Sequence, residues 1–337
     1  MTSTLFTVDK KRKSPSKFKD VLRLAYAYGY DFKRFAMHSG FRGRGTRREI
    51  ESQIFKEFHR IEKGLTLRSP RPWFGKEPIL RVIRLCRQYE KMDNFDRSVI
   101  ESAHSTLAVY GTFFDAEPPQ WWLEVSDEIQ RSLAGQTVPA HVQGGFKPYH
   151  RGLPDARLDD AGAISQFIAS RSSVRNYADR LVPDEVLHSA INDARQSPSV
   201  CNRQGTRIRL YKRGDESKRI LECQNGNKGF GEHASHVALI TSDLKAFLTV
   251  GERHQGYLDG GMYAMTLQYS LLANGVGTCC LNWSATPTQD KTLRQAAFLP
   301  HDEIVLLMIA IGYPAEGSSV TISPPRPDAN IMIHDGS

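Results

Sequence analysis

At 337 residues, 40% hydrophobic and 24% charged, the chain has a globular composition and the length for one large domain or for one domain with a substantial extension. No apolar run approaches the roughly 18–20 residues of a membrane helix, and the basic opening has no apolar block behind it to make a secretory signal. Five cysteines without a CxxC pair argue against a zinc site or a disulfide framework and for a reducing, cytoplasmic setting. The net charge of +8 is uneven. Residues 1–100 hold 24 Lys and Arg against 11 Asp and Glu, a balance of +13, which leaves −5 for the remainder.

In chain order, residues 1–20 read as a basic, disordered arm and residues 21–133 as a helical extension. "VLRLAYAYGYDFKRFAMH" and "EIESQIFKEFHRIEKGL" space their apolar residues by three and four. In the second, Ile50, Ile54, Phe58 and Ile61 share a face, and Gly64 is the expected stop. "RSPRPWFGKEP" is a loop, broken by three prolines and a glycine. "ILRVIRLCRQYEKM" and "RSVIESAHSTLAVYGTFF" resume helix. Residues 134–160, rich in Gly and Pro, read as a linker, and 161–337 as a second domain. There "AISQFIAS", "PDEVLHSAINDARQ", "YLDGGMYAMTLQYSLLAN" and "KTLRQAAF" predict helices, with Pro183 at a favoured first position. "RIRLYK", "HVALIT", "GVGTCCLNW" and "IVLLMIAIGY" predict strands, apolar enough to be covered on both faces. The alternation gives α/β or α+β, and periodicity does not fix the strand order.

Three segments carry polar chemistry. "RSSVR" places Arg171, Ser172, Ser173 and Arg175 where a helix ends, either as a solvated corner or as donors to an anion such as a phosphate. "SPSVCNRQ" holds the turn formers Pro198, Ser199 and Asn202, followed by Gln204, as a plain turn or as polar contacts on a loop. "NGNKGFGEHASHVALI" has glycines that permit close backbone approach, but no P-loop, and no GxGxxG follows a strand. His233 and His236 lack the partners of a metal set and read as a surface histidine and a histidine at a strand start. Cys279 and Cys280 read as buried, inert thiols.

Taken in order, these segments, with "LLANGVGTCC", "LRQAAFLP" and "IAIGYP", resemble the FMN-dependent nitroreductase family over roughly residues 160–330. The family shows an Arg-x-Ser-x-Arg/Lys start, a Pro-Ser-x-x-Asn-x-Gln turn, a helix entering Gly-x-Gly-Thr, and a closing Gly-Tyr-Pro. The resemblance implies an α+β fold with a central mixed sheet flanked by helices, here with a mostly helical N-terminal extension. It implies FMN held at its phosphate by Arg171, Ser172, Ser173 and Arg175, with Arg326 a further phosphate contact. Asn227 would face the flavin edge, and a backbone donor to flavin N5 would fall within Leu281, Asn282, Trp283 and Ser284. Pro198, Ser199, Asn202 and Gln204 would come from the other subunit of a homodimer. The implied activity is ping-pong transfer of hydride from NAD(P)H to an organic acceptor, with no side-chain nucleophile. Gly205 and Thr206 stand where the family often has Pro-Trp, so that pocket wall is altered, and Trp283 is either its aromatic substitute or core. "HRIEKGL" and "RPWFG" resemble nitroreductase-like proteins of polysaccharide biosynthesis clusters. The alternative is a flavin-fragmenting enzyme or a non-redox FMN-binding protein. The basic front is either a helical layer with solvated charges or a dock for an anionic partner or membrane surface. Nucleic acid is the weakest option, because no recognised binding module accompanies the charge.

Overall fold

The computed structural model describes residues 17–67, 69–135, 137–139, 142–146 and 161–321. The expected helices of the front half form: α1 (Lys17–His38), α2 (Arg47–Leu65), α3 (Lys76–Tyr89) and α4 (Arg97–Gly111). To these is added α5 (Gln120–Leu133). Helix α1 begins inside the segment read as a disordered arm; the rest of that arm lies outside the described residues. Thr46 starts α2 with a reciprocal capping box, accepting from the Glu49 amide while the Glu49 carboxylate accepts from the Thr46 amide.

The predicted face of α2 is the buried one. Ile50, Ile54, Phe58 and Ile61 join Ile79, Val82 and Ile83 of α3, Ile100, Ala103 and Leu107 of α4, and Val125 and Ile129 of α5 in one core. Gly64 does not stop α2, which runs on to Leu65. A Cβ at position 64 would lie 2.0 Å from the Phe74 ring, so the glycine serves packing instead. Trp73 and Phe74, from the loop, pack edge-on or tilted against Tyr110, Phe114 and Trp122. Of the segment read as a linker, residues 142–146 fold back on the helices: the Gly144 amide donates to Ser105 Oγ and the Gly145 amide to Glu62 Oε1.

The second half runs α6 (Ala161–Ser170), α7 (Asp184–Ala194), β1 (Thr206–Lys212), α8 (Asp215–Leu221), β2 (His236–Asp243), α9 (Gln255–Ala273), β3 (Gly277–Asn282), α10 (Pro287–Ala296) and β4 (Glu303–Gly312). Pro183 sits one position before its expected place, as the N-cap of α7. Helix α10 starts earlier than "KTLRQAAF", because Thr286 and Gln289 form a capping box with Pro287 at the first turn. Helix α8 was not legible in advance.

The four-stranded sheet has the order β1-β2-β4-β3, and every strand pair is antiparallel. The sheet is thus antiparallel where a mixed one was implied, and the parallel contact among the described residues is an isolated bridge between Ser173 and Thr278, outside the four strands. The apolar runs are explained by cover on both faces. Val237, Leu239, Leu281 and Met308 pack with α8 and α10. Their neighbours Ala238, Ile240, Ile309 and Ile311 pack with α7 and α9.

The helical half touches this sheet layer directly. Arg48 of α2 pairs with Asp243 at the end of β2, at 3.2 Å, and Arg34 of α1 pairs with Asp290 of α10 at 2.8 Å. Much of the basic excess is met locally: Arg47 and Arg48 pair with Glu51, Arg60 and Arg81 with Glu57, and Arg87 with Glu128.

Candidate functional site

Strand β3 is an edge of the sheet, and the "RSSVR" segment lies along its beginning. The Val174 amide donates to the Thr278 carbonyl at 2.9 Å, which pins the segment to the strand. Val174 is buried, Arg171, Ser172 and Ser173 are half-buried, and Arg175 is exposed. Burial pushes the Cys279 thiol up, while the nearby Arg175 pulls it down. Arg171 acts likewise on Cys280. Neither arginine has a carboxylate partner among the described residues. Two guanidinium groups and two serine hydroxyls thus meet at one end of β3, and this donor set fits a phosphate.

The other end of β3 carries amides. The Ser284 N–H donates to Asn282 Oδ1, forming a tight turn after the strand. Gln224 Nε2 donates to the Asn282 carbonyl at 3.1 Å. A narrow cleft there is lined by Gln224, Asn225, Asn282, Trp283 and Ser284. From Thr278, where the cationic segment is pinned, to Asn282 at the amide end is about 13 Å along β3. Cys280 and Asn282 are exposed between them. Cys280 therefore corrects the sequence reading: side chains alternate along a strand, so Cys279 faces the core and Cys280 faces out.

Asn227 is buried, and its amide nitrogen donates to the Leu221 and Gln224 carbonyls at 2.7 and 2.6 Å. It closes its own loop. Gln224 and Asn225, which line the cleft, belong to no motif; the signal was a run of amides before a glycine. His233 is exposed and His236 is buried against Ser235 Oγ at 2.9 Å. No group of metal-ligating side chains exists among the described residues.

The 198–204 turn stands elsewhere. Gln204 donates its amide to Ser199 Oγ at 3.0 Å, and its side chain reaches Asn202 Oδ1 at 3.3 Å. Cys201, Asn202 and Gln204 all have φ near +50°, a strained conformation for residues with a Cβ. The turn is held from below. Arg203, buried, pairs with Glu252 at 2.6 Å, and the Val200 amide donates to Asp259 at 3.2 Å. Burial would raise the Glu252 carboxyl, but Arg203 and the Leu248 and Thr249 amides outweigh it and hold it below its ordinary value. Gly205 follows because a Cβ there would meet Ala246 Cβ at 2.9 Å. A cleft of about 300 Å³ opens beside the turn, lined by Pro198, Ser199, Gln204, Asp259 and Tyr263.

The strand register sets these two segments far apart. Thr206, just after the turn, pairs with Ser242, and Ser242 with Ile304, at one end of β4. Thr278, bridged to Ser173, pairs with Ile311 at the other end. The turn and "RSSVR" therefore occupy diagonally opposite corners of the sheet, roughly 14 Å apart across the strands and roughly 24 Å along them. Within one chain the Arg171 group and the Leu281–Trp283 group come together along β3; Pro198, Ser199, Asn202 and Gln204 do not join them. Arg326 lies outside the described residues.

Trp283 is half-buried, and its indole N–H donates to Asp290 Oδ1 at 3.2 Å. That carboxylate also accepts from Tyr30, Arg34 and Arg294. No sequence signal announced this cluster, since Tyr30 lies 260 residues from Asp290 and Arg34 lies 256.

Residues 168–225 match the family model described as the Nitroreductase family. Among curated proteins, the chain is similar to an iodotyrosine deiodinase of Haliscomenobacter hydrossis, at 23% identity over 53% of this chain and 92% of that protein. Among solved structures, it is similar to a Desulfovibrio desulfuricans protein assigned as a nitroreductase and solved in complex with FMN. The match has 24% identity and a TM-score of 0.45, over 52% of this chain and 97% of that one. An FMN-dependent nitroreductase of Clostridium difficile matches at 19% identity and a TM-score of 0.41, over 51% and 98% of the two chains. The match from Ile168 to Asn225 takes in both "RSSVR" and the 198–204 turn, so this stretch of the chain is similar to the nitroreductase family over both of its polar segments.

Proposed function

We propose that the protein is an FMN-dependent oxidoreductase that takes hydride from NAD(P)H and passes it to an organic acceptor in a ping-pong cycle. The observation that carries this reading is the pair Arg171 and Arg175, without carboxylate partners among the described residues, beside Ser172 and Ser173 inside the family-matched segment. Arg171, Ser172, Ser173 and Arg175 would hold the phosphate. Leu281, Asn282 and Trp283, at the far end of β3, would orient the ring. FMN, when bound, supplies the two-electron chemistry.

The chain's own contribution is binding and polarity. Guanidinium groups fix the anionic end by forked hydrogen bonds. Backbone and side-chain amides after β3 offer donors to a ring that becomes more electron-rich. Asn227, with its amide nitrogen donating within its own loop, supports the wall of the cleft.

The distance between the 198–204 turn and "RSSVR" supports a two-chain site. In a homodimer, Pro198, Ser199, Asn202 and Gln204 of one subunit would complete the site begun by Arg171 of the other. The test is a visible spectrum of the purified protein, followed by anaerobic titration with NADH and with NADPH. Bleaching of a yellow protein, reversed by a quinone, is the expected result. A colourless protein that ignores added FMN in calorimetry would overturn the reading. Irreversible loss of flavin absorbance under oxygen would point to flavin fragmentation instead.

A further inference from the structure

Asp290 is the meeting point of the two halves of the chain. Its Oδ2 accepts from Tyr30 Oη at 2.7 Å, from Arg34 at 2.8 Å and from Arg294 Nε at 2.7 Å. Its Oδ1 accepts from the Trp283 indole at 3.2 Å. The side chains of Arg34 and Arg294 are 8% and 7% exposed. Both arginines also donate to the Glu303 carbonyl, at 3.3 and 2.7 Å. Burial and the bond to Asp290 push the Tyr30 phenol well above its ordinary value, so it stays a donor.

These contacts do more than glue a helix to a domain. Trp283 and Ala285 lie in the loop after β3. One side of that loop lines the cleft with Gln224 and Asn225. The other side lines a cavity of about 120 Å³ whose far wall is Ala27, Tyr30, Asp31 and Arg34 of α1. The loop is a partition between α1 and the cleft. Beyond the Gln224 side chain, which donates to the Asn282 carbonyl at 3.1 Å, it carries few bonds: the Ser284 amide to Asn282, and the Thr286 and Gln289 cap. Its largest side chain is tethered through Asp290.

We propose that α1 is a positioning element for the candidate flavin site: Arg34 and Tyr30, acting through Asp290 and Trp283, hold the 282–285 loop in place. This rests on the reading of that loop as a flavin wall. It assigns the N-terminal helix a part in the site, where the sequence had suggested a separate layer. Removing a partner from a buried charge cluster leaves the remaining charges uncompensated. The loop would then lose its fixed seat, and pre-organised groups placed even slightly wrong lose affinity.

The experiment uses the full chain and three variants: Arg34→Met, Arg34→Lys and Tyr30→Phe. Arg87→Met, which breaks a pair inside the helical half, is the control. Amide hydrogen exchange is read without flavin, and FMN affinity by flavin fluorescence. Exchange in a peptide covering 282–286 should speed up in Arg34→Met, less in Tyr30→Phe and least in Arg34→Lys, while β4 stays protected. FMN affinity should fall several-fold in the same order, and the control should match wild type in both. Unchanged exchange at 282–286 in Tyr30→Phe and Arg34→Met overturns the proposal, as does faster exchange with unaltered FMN affinity. If Arg34→Met fails to fold, Tyr30→Phe, which removes no charge, decides the question. If wild type itself takes up no FMN, the flavin reading fails, and exchange alone decides whether α1 positions the loop.

Discussion

Arg34, Arg48, Arg203, Arg209 and Arg294 each have a carboxylate partner, and Arg171 and Arg175 have none among the described residues. Other arginines, such as Arg180 over the Tyr313 ring, also lack a carboxylate among the described residues, so what sets Arg171 and Arg175 apart is their place beside Ser172 and Ser173 along β3. Arg171→Ala should therefore weaken FMN binding by on the order of 2 kcal/mol, the loss of one charge-assisted contact. Arg175→Ala should do the same with little change in melting temperature. Calorimetry with FMN checks both, and equal affinity in both variants would return "RSSVR" to a solvated corner. His104 is the residue of interest for acid stability. It is buried on α4, and neither ring nitrogen has a partner among the described residues. Burial pulls its pKa down to about 4; Glu128 acts against that and Arg97 with it. Between pH of about 6.5 and about 4, the unfolded chain takes up a proton that the folded chain refuses. Stability is thus full above that window and is lost as pH falls through it, by on the order of 3 kcal/mol. His104→Leu should flatten this dependence in urea unfolding followed from pH 7 to pH 4.

At the scale of elements, the short contact of Gly64 with Phe74 gives the sharpest test. Gly64→Ala would gain helix propensity, but its methyl has no room beside the ring. The expected net result is destabilisation by about 1–3 kcal/mol, read from the denaturant midpoint. A more stable variant would show that the ring moves freely. The same position shows what the sequence could and could not tell. The face Ile50, Ile54, Phe58 and Ile61 was legible because a buried helix needs a three-to-four repeat. The role of Gly64 was not, because Phe74 approaches from a loop that periodicity does not see. Likewise "HVALIT" announced a covered strand, while the antiparallel order β1-β2-β4-β3 depends on pairings that hydrophobicity does not encode. "RSSVR" and the turn were legible as polar punctuation. Their placement at opposite corners was not, and neither were Asp290 or Gln224, whose partners are backbone groups and distant side chains.

For the whole molecule, the separation of "RSSVR" from the 198–204 turn bears on symmetry. Helix α6 exposes Ile164, Phe167 and Ile168, and α9 exposes Tyr257, Leu258 and Met262. Apolar surface of that kind is usual at an interface. In a twofold dimer, each site would take Arg171 from one subunit and Gln204 from the other. An Arg171→Ala chain and an Asn202→Ala/Gln204→Ala chain should each bind FMN poorly. Unfolded together and refolded, random pairing makes half of the dimers mixed. Each mixed dimer then has one site with both defects and one with none, so about one site in four should bind normally. FMN stoichiometry after mixing checks this, and no recovery would show that the two segments do not complete one site across subunits.

The bond between Arg34 and Asp290 also has a history in time. The two residues are 256 positions apart. A ribosome adding about 5–20 residues per second reaches the second on the order of tens of seconds after the first. Through that interval Arg34 and Tyr30 have helix geometry and the neighbouring Asp31, but not the Asp290 carboxylate that both meet in the folded chain. Helices α2 to α5, whose core is local in sequence, can close meanwhile. A nascent chain released before α10 would leave Arg34 and Tyr30 without the Asp290 carboxylate. The first helix made is thus among the last to dock, and its arrival reports that the sheet layer has been completed.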